Sequence, residues 1–411
     1  MTALIPVTTS RLTSHLDLLD LLPEEELLSW VRSGQGLVGW GVFAQITVCG
    51  PTRFADARTW WHNELAKLKI TNNTNVSGSG PILFSSFAFD ENEESVLVIP
   101  EIIVGTRGGV SWLTWIGDKA QPYLPKKAPT IAHTQYSWGD GSLSPNEWMS
   151  RVATAIGEIE ITELEKVVLA RDLVAIAQSA IDPRQILNQL SAQYPATWVF
   201  AVKNLIGATP ELLVRLSRGM VTSRVLAGTI SKTGDDDRDL ALAGSLARSS
   251  KDLEEHEYAV RSVADALEPF CTSMNVPESP FVLHLVNVMH LATDVTGALM
   301  ESKNTQSQNE VDVFSLLARL HPSAAVCGTP THLAATMISK IEGMSRGRYA
   351  GPVGWIDAHG DGEIGIALRC GLISENLIRL FAGCGIVSGS DPAKELNESN
   401  AKFTPMRSAL E

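Results

Sequence analysis

Residues 351–402 read GPVGWIDAHGDGEIGIALRCGLISENLIRLFAGCGIVSGSDPAKELNESNAK. Two apolar runs, 352–356 and 364–370, flank the turn-rich 357–363 and predict a pair of strands. A third run, 377–381, leads into Ala382-Gly383-Cys384-Gly385-Ile386-Val387, which reads as a glycine turn with close backbone approach. After Asp391-Pro392 the pattern turns helical and carries Glu395, Glu398 and Lys402. Their i, i+3, i+7 spacing puts all three on one helical face. With Arg369 read as a strand arginine, the stretch describes a site for a small anion and a divalent cation.

Working outward, the 411 residues are 44% hydrophobic and 19% charged, enough to bury a sizeable core. The formal net charge of −13 argues against a nucleic-acid protein, which needs a basic footprint. It leaves room for an anionic ligand, because a few Arg and Lys side chains dominate inside a cleft. The five cysteines are scattered without CxxC pairing, which argues against a disulfide framework or a zinc site. The N-terminus lacks a basic segment followed by an apolar core, and no apolar run reaches membrane-spanning length. The expectation is a cytoplasmic protein with no membrane and no nucleic-acid partner, and a monomer by default.

The first 116 residues read as a mixed region. A helix is predicted over 24–33, a strand over 36–48, a helix over 54–68, and strands over 82–89, 95–100 and 109–115. Residues 117–144 are rich in Pro, Gly, Ser and Thr and read as a connector. From 145 to 411 the pattern is more regular. A helix over 146–156 stops near Gly157, and a strand follows over 165–175. Then come a helix over 183–193, a strand over 197–202, a turn at Gly207-Ala208-Thr209-Pro210 and a strand from Leu212. Further helices are predicted over 236–249, 253–270, 314–320 and 331–341. Strands and helices cluster rather than alternate, which favours α+β over a doubly wound sheet.

Three segments could carry chemistry. Lys166 stands inside the apolar strand KVVLAR. If buried, desolvation lowers its pKa and makes it a usable general base; the competing reading is an edge lysine pointing to water. Glu211 follows a turn and precedes an apolar strand, a place where a carboxyl can be raised to serve as a general acid; the bland alternative is a solvated turn carboxylate. Glu254-Glu255-His256-Glu257 sits early in a helix, where acids favour the macrodipole, yet Glu255 is also a hard oxygen donor suited to Mg²⁺. LAGT at 226–229, HLAT at 290–293 and LHP at 320–322 are individually weak.

Taken in order, KVVLAR, GATPELL, LAGT, KDLEEHE, HLAT, LHPSAAVCG, GPVGW, ALRC and FAGCGIV with its following helix resemble the chorismate-utilising enzymes: isochorismate, salicylate, anthranilate and aminodeoxychorismate synthases. The likeness spans roughly 165–402, over half the chain. It implies an α+β fold, a large two-layer β-sandwich with helices on its outer faces. It also implies an isochorismate synthase: Lys166 as the base that activates water, Glu211 as the acid that protonates the departing hydroxyl, and Glu255 and Glu398 as Mg²⁺ ligands. The substrate, chorismate, would meet Gly228, Thr229, His290, Thr293 and Ala325, with Arg369, Lys402 and the backbone N–H groups around Gly383 and Gly385 holding its enolpyruvyl carboxylate. Ala227 stands where aminodeoxychorismate synthases carry a nucleophilic lysine, and Lys166 is a base that anthranilate synthases lack. Salicylate synthase is the nearest alternative, separated by Ala325 where that enzyme often has Thr. A non-catalytic binding protein of the same fold is the other. The helix departs from the family's E-W-x-E at Leu396, and Cys384 replaces a common Ala.

Overall fold

Lys166–Ala177 pairs antiparallel with Leu377–Ile386 over ten residue pairs, from Val167 opposite Ile386 to Ile176 opposite Leu377. These two strands anchor the first of two large sheets in the computed structural model, which describes residues 3–13, 16–118, 120–125, 127, 135–300 and 311–411. From them the first sheet runs through Cys370–Ser374, Leu205–Thr209, Trp198–Val202, Leu28–Arg32 and Gln35–Trp40 towards the N-terminal strands. The second sheet is built around Val288–Leu299, Met220–Ser231, Leu212–Ser217, Gly362–Ile366 and Pro352–Asp357. The first 116 residues supply strands to both sheets.

The sheets face each other across one apolar core. Trp30, Leu37, Phe200 and Val202 of the first sheet meet Phe84, Val98, Val214 and Ile364 of the second, all at most 1% exposed. Their alternation along each strand puts one set of side chains inward and the other outward. The outward faces are covered by helices: α1 (Arg53–Leu65), α2 (Pro145–Ile161), α3 (Pro183–Gln193), α4 (Asp236–Leu246), α5 (Ser250–Leu267), α6 (Val313–Leu320), α7 (Thr331–Ile341) and α8 (Pro392–Leu410). The α3 and α8 helices pack on the first sheet through Leu187, Leu190, Phe403 and Met406, and α5 packs against Met220–Ser231 of the second. The mixed architecture with two large sheets is the expected one. Among the described residues, no helix is long and apolar enough to cross a membrane.

Several local expectations are corrected. Residues 24–33 are not a helix: Leu28–Arg32 is a strand that pairs with both Trp198–Val202 and Gln35–Trp40. Its buried Trp30 and Val31 lie on opposite faces, and both faces are covered, so the run lacks the alternation that marks a half-exposed strand. The predicted strand 36–48 is two strands in different sheets, Gln35–Trp40 and Ala44–Val48. The α2 helix continues through Gly157 to Ile161; its capping box, Ser144 with Glu147, is worth about 1 kcal/mol and offsets a single interior glycine of similar cost. Gly207–Thr209 belongs to a strand rather than a turn, and so does Gly383–Gly385. The predicted connector holds the strand Tyr136–Asp140, while 119, 126 and 128–134 lie outside the described residues.

Candidate functional site

Two neighbouring crossovers between the sheets build the floor of the site. The chain leaves the first sheet at Thr209, passes Pro210-Glu211, and enters the second at Leu212. It returns from the second at Ile366 through Ala367-Leu368-Arg369 to the first at Cys370. The crossovers are joined by Ile366 N donating to Glu211 O at 3.2 Å and Ala208 N donating to Arg369 O at 3.0 Å. Arg369 is therefore not in a strand; its φ of 47° turns the chain there. Glu211 and Arg369 both line a cavity of about 550 Å³.

One wall comes from the first sheet and α8. Lys166 is 1% exposed, so the solvent-facing reading of this lysine is excluded. Its Nζ lies 3.0 Å from Glu255 Oε1. Lys402 Nζ lies 2.7 Å from Glu398 Oε1 and donates to Gly383 O at 2.8 Å. The α8 helix starts at Asp391, whose side chain accepts from Lys394 N, and it is tied to the Lys166 strand by Arg171, which donates to Ser399 Oγ and Asn400 Oδ1. Gly385 faces the Lys166–Glu255 pair: a Cβ there would fall 2.6 Å from Glu255 Oε1 and 2.9 Å from Lys166 Cε.

The opposite wall comes from the second sheet and α5. Gly228, with φ 75°, sits at a bulge between Ala227 and Thr229. Thr229 Oγ1 meets His290 Nδ1 at 3.0 Å, and an Arg369 guanidinium nitrogen meets His290 Nε2 at 3.4 Å. A guanidinium only donates, so Nε2 accepts and the ring proton resides on Nδ1. Burial, then the Arg369 and Lys402 charges, push His290 well below the usual imidazole range and keep it neutral.

Of the expected site residues, Lys166, Glu211, Gly228, Thr229, Glu255, His290, Ala325, Arg369, Gly383, Gly385, Glu398 and Lys402 all border this one cavity. Thr293 does not. It is buried behind the wall, with Oγ1 2.8 Å from His256 Nε2. The glycine turn expected to present its backbone to an anion is the end of Leu377–Ile386, where residues 383–385 pair with 168–170. One backbone edge there is committed to the sheet, and Gly383 O already receives Lys402.

Electrostatics separate the carboxyls. Burial raises Glu211 to about 7 against the opposing charges of Arg369, Lys166 and Lys402, which leaves it protonated for a good part of the time at neutral pH. Burial pushes Glu255 up as well, but the adjacent Lys166 ammonium prevails and the net direction is downward, so it is a carboxylate. Burial and the Glu398 charge raise Glu395 to about 7.

Asp252 was not among the expected site residues, and Glu395 was expected on the site's helical face but not as a metal ligand. Each lies three residues before an expected metal ligand, on the same helical face, and each borders the cavity. That spacing was readable in the sequence. Tyr349, stacked on Phe381 with centroids 5.1 Å apart and also facing the cavity, carried no such signal. The tightest group of ligand atoms among the described residues is Cys384, Glu395 and Glu398, all within 4.8 Å of one another. Cys384 Sγ donates to Glu395 O at 3.3 Å, and burial pushes its thiol well above the usual range, so the sulfur does not offer a thiolate. The carboxylates of α5 and α8 are hard oxygen donors and fit Mg²⁺ better than a thiophilic metal.

A family model described as "Chorismate binding enzyme" matches residues 16–411. Isochorismate synthase MenF of Bacillus subtilis (strain 168) is 32% identical over 81% of this chain and 75% of its own length. Isochorismate synthase DhbC of the same organism is 34% identical over 81% of each. Among solved structures, the Bacillus anthracis protein described as a 2,3-dihydroxybenzoate-specific isochorismate synthase, DhbC, superposes with a TM-score of 0.79 at 31% identity, covering 96% of this chain and 98% of that one. Anthranilate synthase component I from Streptococcus pneumoniae shares the fold at 20% identity, with a TM-score of 0.71 over 92% of each chain.

Proposed function

The chain belongs to the chorismate-binding enzyme family, and from that premise we propose that it is a Mg²⁺-dependent isochorismate synthase. Water adds to C2 of chorismate, the C4 hydroxyl departs, and the product is an isomer of the substrate. The observation that carries this reading is that Lys166 and Glu211, both buried, come from a strand and from a crossover between the sheets to border one cavity.

The reaction needs a proton acceptor beside the incoming water and a proton donor beside the departing hydroxyl. Lys166, acting as the neutral amine, accepts the proton of the water at Nζ as the water oxygen bonds to C2. Glu211, raised to about 7 by burial, gives its proton to the C4 oxygen as that bond breaks. Exchange with solvent then returns a proton to Glu211 and removes one from Lys166. Arg369 and Lys402 are the cations placed for the enolpyruvyl carboxylate. Neutral His290, held by Thr229 and Arg369, offers a polar wall without adding charge.

Glu255 and Glu398 would hold the ion, with Asp252 and Glu395 behind them. Bound there, Mg²⁺ supplies the positive charge that fixes the ring carboxylate. In this structure Lys166 engages Glu255 through Oε1, which leaves the second carboxylate oxygen to serve as the ligand atom.

Release of isochorismate is favoured over onward loss of pyruvate. Ala325 borders the cavity and offers no hydroxyl to hold the enolpyruvyl group for a second step. The deciding experiment is chromatography of a chorismate incubation with Mg²⁺. Isochorismate in equilibrium with chorismate is expected, with salicylate and pyruvate at trace level. Stoichiometric salicylate would instead identify a salicylate synthase, and no loss of chorismate would identify a binding protein.

A further inference from the structure

The Lys166–Ala177 strand is paired on one side over 167–176. Its other edge is not. Gly328–Thr329 covers Lys166 and Val167, Val168 N reaches Cys327 O at 2.8 Å, and Tyr136–Asp140 covers residues 173–177. Between these, among the described residues, no strand pairs with Ala170 on that edge. The gap lies in the interior, where unpaired backbone groups are costly.

Side chains fill it. Arg346 donates to Val168 O at 2.8 Å and, through its other terminal nitrogen, to Val326 O at 2.9 Å. Glu342 Oε2 accepts from Ala170 N at 2.8 Å, and Trp148 Nε1 donates to Ala170 O at 3.1 Å. Glu342 and Arg346 are joined twice, Nε to Oε1 at 2.7 Å and a terminal nitrogen to Oε2 at 2.5 Å, and are 2% and 3% exposed. Arg346 also lies over the Phe89 ring, 4.1 Å from its centroid, which leaves the guanidinium little freedom to rotate.

We propose that Glu342 and Arg346 are a positioning pair for the reaction, a side-chain splice that fixes the Lys166 strand against the wall carrying Ala325 and Val326. The inference rests on the reading of Lys166 as the base. Val168 is two residues from Lys166 and Val326 is next to Ala325, so one guanidinium sets the base strand relative to the substrate wall. Neither side chain contacts Lys166; they act through the backbone. The geometry demands a fork. A guanidinium reaches two carbonyls while bound bidentately to a carboxylate, whereas an ammonium at the end of a flexible stem does not hold that plane.

The test compares Arg346→Lys and Glu342→Gln with the wild type, scoring kcat and KM per folded molecule alongside Tm. Misplacement of a reacting group by about 1 Å costs on the order of 10²-fold. Arg346→Lys is therefore expected to lose about that much in kcat with KM little changed. Glu342→Gln keeps an oxygen for Ala170 N and is expected to lose clearly less. If Arg346→Lys lowers Tm but leaves kcat per folded molecule at the wild-type value, the pair is a stability element and the proposal is wrong. Should Arg346→Lys fail to fold, Glu342→Gln and Glu342→Ala decide. Only the alanine variant loses the acceptor for Ala170 N, so positioning requires it to show the larger kcat loss and faster exchange of the Ala170 amide; equal kcat in the two overturns it. The functional reading fails separately, when the wild type leaves chorismate unchanged. Positioning is then decided by chorismate-binding calorimetry: weaker binding in the alanine variant than in the glutamine variant supports it, and equal binding overturns it.

Discussion

Lys166 and Glu255 form an ion pair 3.0 Å across, from a strand of one sheet to a helix on the other, with Gly385 lying against both. A charged pair this shielded from water needs close geometry to repay the desolvation of its two ions. The absent side chain at 385 is what permits the approach.

Gly385→Ala should therefore split the pair. The added Cβ would meet Glu255 Oε1 at 2.6 Å and Lys166 Cε at 2.9 Å. We expect kcat to fall on the order of 10²-fold, the usual consequence of displacing a reacting group, with circular dichroism little changed. Steady-state kinetics check this, and a kcat within about twofold of wild type, far below that principle's range, would show that the pair yields without consequence.

Lys166→Ala removes the proposed proton acceptor and should lower the rate by about 10²- to 10⁴-fold. The comparison is kcat at saturating chorismate and Mg²⁺. Retention of more than about a tenth of the activity, a loss smaller than a positioned base is worth, would make Lys166 a structural partner of Glu255 and return the choice of base to the rest of the cavity.

Glu211 gives a pH dependence whose sign follows from burial. With its pKa raised from 4.5 to about 7, the folded state keeps a proton that the unfolded chain has lost across that window. Stability from this group is thus present below about 4.5 and declines as pH rises through about 7, by a total on the order of 3 kcal/mol. Glu211→Gln stays neutral throughout. Its Tm relative to wild type should climb as pH goes from about 5 to 8 in metal-free buffer, the window set by that linkage; a pH-independent difference would place the ionised carboxylate in water. The wild-type kcat/KM should fall over the same range as the acid is lost.

Glu255→Gln and Glu398→Gln should each abolish turnover and weaken Mg²⁺ binding, measured by calorimetry on the folded variants. Full wild-type activity after exhaustive chelation would remove the metal from the reaction.

That Lys166, Glu395, Glu398 and Lys402 would border one cavity was legible in the sequence because the signal is local. Glu395, Glu398 and Lys402 share a face by helical period alone, and Lys166 stands out as a cation in an apolar strand. The strand Leu28–Arg32 and the run through Gly383–Gly385 were misread because pairing partners decide them: one is covered on both faces by distant segments, the other is held by residues 168–170. Thr293 was misplaced for a related reason. It has the same motif neighbourhood as His290, but three positions along a strand reverse the face, and its hydroxyl turns to His256. The Glu342–Arg346 splice left no sequence signal at all, since its purpose is set by an edge that only tertiary structure leaves open.

Glu211 and Arg369 occupy two neighbouring places where the backbone passes from one sheet to the other, bonded side by side. Neither residue belongs wholly to a sheet, so their spacing records how the two layers are seated. A slight sliding of one layer over the other would move the Glu211 carboxyl and the Arg369 guanidinium apart while every strand remained intact. Activity in this protein is thus a gauge of layer registry, and its loss under mild denaturant should precede the loss of secondary structure.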